Sequence, residues 1–135
     1  MWVDETLTSL EPNLVVFESA AVATAMGGKT NIETMKKLIG LNEHLEEICY
    51  QRVELREANV RQVRAFFLGG AAQKREQAKA ATIEKCKSYG WNVENDDEAD
   101  ACALLAYQIS CLRPDLAQQF TPMFYGATGK ISQEW

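Results

Sequence analysis

Residues 14–18 read LVVFE: an unbroken apolar run closed by an acid, directly after the break at Pro12-Asn13. A continuous apolar run this short, entered from a turn signal, suits a strand covered on both faces, as in a parallel sheet. Glu18 stands where such a buried strand would emerge. The fold class then depends on whether a helical crossover and a second strand follow.

Both are legible. Upstream, DETLTSLE (residues 4–11) reads as the end of an amphipathic helix. Downstream, residues 19–29 are rich in small side chains and contain Gly27-Gly28. A helix is expected from about Thr30-Asn31, with Glu33 as a dipole-compatible acid in its first turn, and to end around Tyr50 to Arg52. Ile32, Met35, Leu38, Leu41, Leu45, Ile48 and Cys49 recur at spacings of three and four, which predicts one buried face. Val53 to Ala58 alternates weakly and reads as the second strand. Asn59 to Phe67 is a short helix or turn leading into Leu68-Gly69-Gly70.

From about Ala71 a polar helix runs to Tyr89, with Ala78, Ala81, Thr82, Lys85 and Cys86 inward and Gly90 as a left-handed cap. After the loop WNVEN an acidic-fronted helix begins, and it stops at Leu112 before Arg113-Pro114. The order strand, helix, strand, helix, helix is an α/β pattern. A domain over residues 1–112 and an irregular C-terminal arm over 113–135 are the expected organisation. A two-stranded parallel sheet is poorly stable alone. The strand at 14–18 is therefore expected to be covered by a second copy of the chain or an exchanged segment.

Composition bounds the function. The 135 residues carry 47% apolar and 24% charged side chains, enough for one domain with a real core. No apolar run reaches the ~18 residues a membrane span needs. MWVDETLTSLEP is acidic and is no signal peptide, so a cytoplasmic location is expected. Cys49, Cys86, Cys102 and Cys111 form no C-x-x-C pair, and His44 is the one histidine. Reduced thiols, some acting as small core fillers, are the simplest reading. A net charge of −5 argues against a general nucleic-acid coat but not against a nuclease, whose metal site itself concentrates carboxylates.

Asn95 to Ile109, NDDEADACALLAYQI, carries the most chemistry. Asn95 or Asp96 can cap the helix, and Asp97-Glu98 suit its positive end. Capping does not account for Asp100, which lies past the first turn, beside Leu104 and on the same face as Asp97. An inward acid needs a partner. Glu18, at the carboxyl end of a strand, is a natural one. Three such carboxylates suit two-metal phosphodiester hydrolysis. Gly28-Lys29-Thr30 is not a P-loop, because Ala23 stands where the first glycine is required.

The segments LVVFES, VRQVRAFFLGGAAQKREQ and DDEADACALLAYQI resemble the later two-thirds of a RuvC-type Holliday junction resolvase of the RNase H-like superfamily, in its phage or prophage form. The resemblance covers roughly residues 5–112. It implies an α/β, ribonuclease H-like fold with parallel strands flanked by helices. It implies magnesium or manganese held by Glu18, Asp97 and Asp100 as catalytic ligands, and branched DNA as substrate. It also implies a homodimer, bacterial or phage-encoded. Arg64 and Lys74 match positions where the family contacts DNA. Arg61 and Arg75 belong to the same basic stretch, with Lys79, Lys85 and Lys87. The family's opening Asp has no counterpart, so the resemblance implies an N-terminally incomplete fold and a metal site that this chain alone leaves unfinished. Cys102 stands where some members carry a further acid or a histidine, and it is a poor magnesium ligand. Two other readings remain open. One is a non-catalytic α/β interaction module whose acids cap a helix. The other is a nucleotide-binding protein using Gly27-Gly28-Lys29.

Overall fold

A computed structural model describes residues 2–19, 32–69, 74–117 and 119–120. The Gly27-Gly28-Lys29 segment and most of the expected C-terminal arm lie outside them. The chain forms two compact units, Met1–Val60 and Arg61–Trp135.

The first unit contains helix α1 (Trp2–Leu10), strand β1 (Leu14–Glu18), helix α2 (Ile32–Cys49) and strand β2 (Glu54–Ala58). The strands pair in parallel, from Leu14 opposite Glu54 to Glu18 opposite Ala58. The Ser19 N–H extends the ladder by donating to the Ala58 carbonyl at 2.9 Å. The class is mixed α/β, with two parallel strands in one sheet. α1 stops where Pro12 removes a donor, and Glu11 turns the chain with φ of 44°. Gln51, at φ of 60°, turns it again before β2. Arg52 in that turn forms an ion pair with Asp4 of α1.

Two expectations need correction here. Leu14 to Phe17 are half-buried rather than covered on both faces. β1 has one neighbouring strand among the described residues; pairing protects an edge of a strand, whereas its two faces need packed elements to cover them. Nor does α2 bury the whole of its apolar stripe, although Met35, Leu38, Leu45 and Ile48 are half-buried. Ile32 is 74% exposed and Leu41 64%, whereas Cys49 is 1% exposed. α2 meets β2 and α1 sparsely, so its carboxyl end is the part that reaches core. Periodicity specifies which face could be buried, and only a neighbour of matching length buries it.

The second unit is helical: α3 (Val60–Leu68), α4 (Arg75–Ser88), α5 (Asp96–Leu112) and a final turn, α6 (Pro114–Ala117). Its core gathers Val63 and Phe67 from α3, Ala78, Thr82 and Cys86 from α4, Val93 from the connecting loop, and Ala99, Ala103 and Ala106 from α5. Small residues facing one another let α4 and α5 approach closely. Ala81 and Lys85 border the buried side of α4. The Lys85 ammonium donates to the Phe67 carbonyl and lies 4.8 Å from the Phe67 ring centroid, which gives a half-buried cation a carbonyl and an aromatic face. Burial still pushes the Lys85 pKa down.

α4 closes as its sequence indicates. Gly90 takes φ of 80°; its N–H donates to Lys87 and the Trp91 N–H donates to Cys86, both at 3.0 Å. That is the paired bonding of a Schellman cap. α5 opens on Asn95. Its Oδ1 accepts from the Glu98 N–H at 2.9 Å, and Glu98 Oε2 accepts from the Glu94 N–H at 2.8 Å. The two side chains satisfy donors reciprocally, in the manner of a capping box. Asn95→Ala is expected to lower stability by about 1 kcal/mol, read as a lower urea midpoint with an unchanged m-value. Among the described residues no helix is long and apolar enough to cross a membrane.

Candidate functional site

The structure brings Asp97 and Asp100 together on α5 of the second unit. Glu18 ends β1 of the first unit and is exposed there. That unit also has a cavity of about 380 Å³ walled by Phe17, Cys49, Leu55 and Glu57 among others. Glu18 is not one of its walls, so the expected strand-end ligand does not face this cavity.

The four acids at the head of α5 have different surroundings. Glu98 serves the cap. Asp96 forms an ion pair with Lys79 of α4, and this interaction holds its pKa below the ordinary carboxylate range while raising that of Lys79. Asp97 is exposed. Asp100 is half-buried, and burial is the main reason its pKa is raised. The positive field of Arg64, on α3, opposes this most strongly, and Lys79 adds to it; Asp96 and Asp97 reinforce the rise. A bare carboxylate one turn into a helix is thus tolerated because two cations lie within electrostatic reach.

The basic residues divide the same way. Arg61 is exposed and Arg64 half-buried on α3. Lys74 is the N-cap residue of α4, with extended backbone and no capping bond from its side chain. Arg75 opens the helix, and its field reaches both Lys79 and Asp96. The head of α5 therefore carries an alternating cluster of Arg64, Lys79 and Arg75 with Asp96, Asp97 and Asp100. Lys79 is the participant that reading along the chain misses as an acid partner. Its signal was a basic residue on a helix next to an acidic helix, but which acid it meets depends on how α4 and α5 cross.

Asp97 and Asp100 offer oxygen donors of the kind magnesium uses, since that ion commonly takes one or two carboxylates and completes its shell with water and phosphate. Among the described residues no group of three or more His, Cys, Asp or Glu side chains is placed to hold a metal ion. Elsewhere along α5 the Cys86 thiol is buried and donates to the Ala99 carbonyl at 3.7 Å. Burial, first of all, pushes its pKa up to about 11.

Asp100 should be visible in the pH dependence of stability. Its folded-state pKa lies above the unfolded value, so between the two the folded chain binds more protons. Stability falls as pH rises through that window, from about 4 upward, and the loss is complete above the folded value. Asp100→Asn should therefore raise the thermal midpoint at pH 7 and leave it nearly unchanged near pH 3. Water screens a half-exposed group, so the gain should stay below about 1 kcal/mol. Thermal melts of both chains across that pH range check this.

No family model, no curated protein and no solved structure matches this chain.

Proposed function

We propose that this chain belongs to a metal-dependent endodeoxyribonuclease of the RuvC type, built on an RNase H-like fold and acting as a homodimer on Holliday junctions or other branched DNA. The observation that carries the reading is Asp100: a half-buried carboxylate one turn beyond a capped helix start, beside Asp97 and opposed by Arg64. Helix stability gains nothing from an acid there, whereas a divalent cation would use it. Glu18 at the end of β1 supplies the third acid of the resemblance. Lys74 and Arg75 at the head of α4, with Arg61 and Arg64 on α3, have the charge and donors to position phosphates.

Asp97 and Asp100 fit magnesium or manganese as a two-carboxylate site, and the ion's contribution would be Lewis acidity toward a phosphoryl oxygen. Arg64 has two roles in this reading. Its charge opposes the burial-driven rise in the Asp100 pKa, and it offers a planar donor to a DNA phosphate.

The second reading is a non-catalytic α/β interaction module, and a specific observation favours it. Glu98 is fully used as a cap partner and Asp96 is paired with Lys79, so two of the four acids already have structural work.

Calorimetric titration with magnesium and manganese separates the readings. The nuclease reading expects binding at up to millimolar ion that is lost in both Glu18→Gln and Asp100→Asn and kept in Glu98→Gln. No binding in the unaltered chain at millimolar ion favours the module. Sedimentation at micromolar concentration addresses the dimer, and a monomer there counts against it.

A further inference from the structure

The cavity of about 380 Å³ in the first unit has a consistent chemistry that neither the nuclease nor the module reading uses. The parallel register sets Phe17 opposite Glu57 and Val15 opposite Leu55. Strand alternation then puts Phe17, Leu55 and Glu57 on one face of the sheet. The end of α2 and the turn after it complete the cavity with Glu46, Cys49, Tyr50 and Val53. Phe17, Val53 and Leu55 are half-buried and Cys49 is 1% exposed, so the interior is apolar. Glu46, Glu57 and Tyr50 are exposed and form its rim.

Three observations give the cavity a preference for positive charge. Glu46 and Glu57 form no ion pair among the described residues, and the neighbouring cations are engaged elsewhere. Arg52 pairs with Asp4, and Arg56 pairs with Glu54 on the opposite face of the sheet. Second, Glu46 and Glu47 occupy the last turn of α2, which holds no basic residue. A helix carries partial negative charge at that end and favours cations there. Glu47 meets His44 at 3.6 Å, which leaves Glu46 unanswered. Third, the Cys49 sulfur lines the cavity and makes no hydrogen bond among the described residues. Burial pushes its pKa up, so it remains a neutral thiol with a weak acceptor sulfur.

We propose that this cavity binds a small arylalkylamine, its ammonium answered by Glu46 and Glu57 and its apolar stem set against Phe17, Val53 and Leu55. Two exposed carboxylates alone hold a cation weakly, because water screens them. Burial of the stem supplies the affinity that they lack. Phe17 and Tyr50 add aromatic rings, which attract a cation over their faces. The volume lies at the small end of ordinary ligand cavities, about 300–1,000 Å³, which suits one ring on a short chain. Both acids and the end of α2 disfavour an anion. The site uses none of the acids of α5 and does not depend on the nuclease reading.

The test is calorimetric titration of the full chain with phenethylammonium at pH 7, joined to amide chemical-shift mapping. Saturable binding at millimolar ligand or below is expected, with the shifts centred on Phe17, Glu46, Tyr50 and Glu57. The neutral counterpart, 2-phenylethanol, should bind about tenfold more weakly, and the Glu46→Gln, Glu57→Gln double variant should lose about tenfold in affinity for the amine. Both substitutions are isosteric and exposed, and unchanged amide shifts away from the cavity verify that the variant is folded. A lysine side chain is the other common carrier of an ammonium. It is tested as Nα-acetyl-lysine amide, whose ringless stem should bind more weakly. The proposal is overturned if binding does not saturate by about 20 mM amine, or if 2-phenylethanol binds as tightly as the amine. It is equally overturned if the double variant binds unchanged, if the shifts centre on Asp97 and Asp100, or if the lysine amide binds as tightly or more so.

Discussion

Phe67→Ala is expected to lower the stability of the second unit by about 3–5 kcal/mol, a size typical of removing a large core aromatic. Phe67 is 0% exposed and is among the largest fully buried side chains in the chain. Its ring packs edge-on against Tyr89, with centroids 6.0 Å apart, and accepts the Lys85 ammonium over its face. Tyr89 in turn contacts Trp91 at 5.2 Å and Phe120 at 5.8 Å, so one truncation loosens a whole aromatic group. Urea unfolding, followed by tryptophan fluorescence at Trp91, would report the loss directly. Phe66→Ala is the control. Phe66 is half-buried, and its edge contact to Tyr107 is at 5.8 Å, so its removal should cost clearly less.

Ala99→Leu is the second large effect, at about 1–3 kcal/mol from overpacking. Ala99 is 0% exposed, and its carbonyl is where the Cys86 thiol rests. Three added carbons have to enter the space that α4 occupies, so the helices must separate or the side chain must leave its rotamer. Helix propensity cannot produce this loss, because Leu is nearly as good a helix former as Ala. Ala101→Leu, two residues on and exposed, should stay within about 0.5 kcal/mol. Equal midpoint shifts for the two variants would mean that α4 and α5 do not pack as described.

Much of the chain is legible from residue chemistry alone. LVVFE marks β1 because four consecutive apolar residues after Pro12-Asn13 have no helical spacing to obey. Gly90 marks the end of α4 because the paired bonds to Lys87 and Cys86 require a positive φ. Asn95 marks the start of α5 because its side chain can replace a missing carbonyl. These are local matters, each decided within a few residues of backbone.

The α2 stripe was equally regular, and it is covered only in part. Ile32 and Leu41 have the right spacing, but spacing cannot supply the surface that would cover them. The same limit applies to the acids. Asp97 and Asp100 share a face by helix geometry, so that pairing follows from their separation of three. Lys79 meeting Asp96, and Arg64 acting on Asp100, depend on how three helices cross.

The sequence by itself indicated both strands, the main helices in their order, and the caps at Gly90 and Asn95, because these rest on local dihedral preferences and hydrophobic period. The tertiary structure alone decided which faces are buried, which cation answers which carboxylate, and that the Cys86 thiol rests on the Ala99 carbonyl 13 positions away. The physical reason is that burial and charge pairing are properties of two surfaces at once, and a sequence specifies each surface without fixing the contact between them.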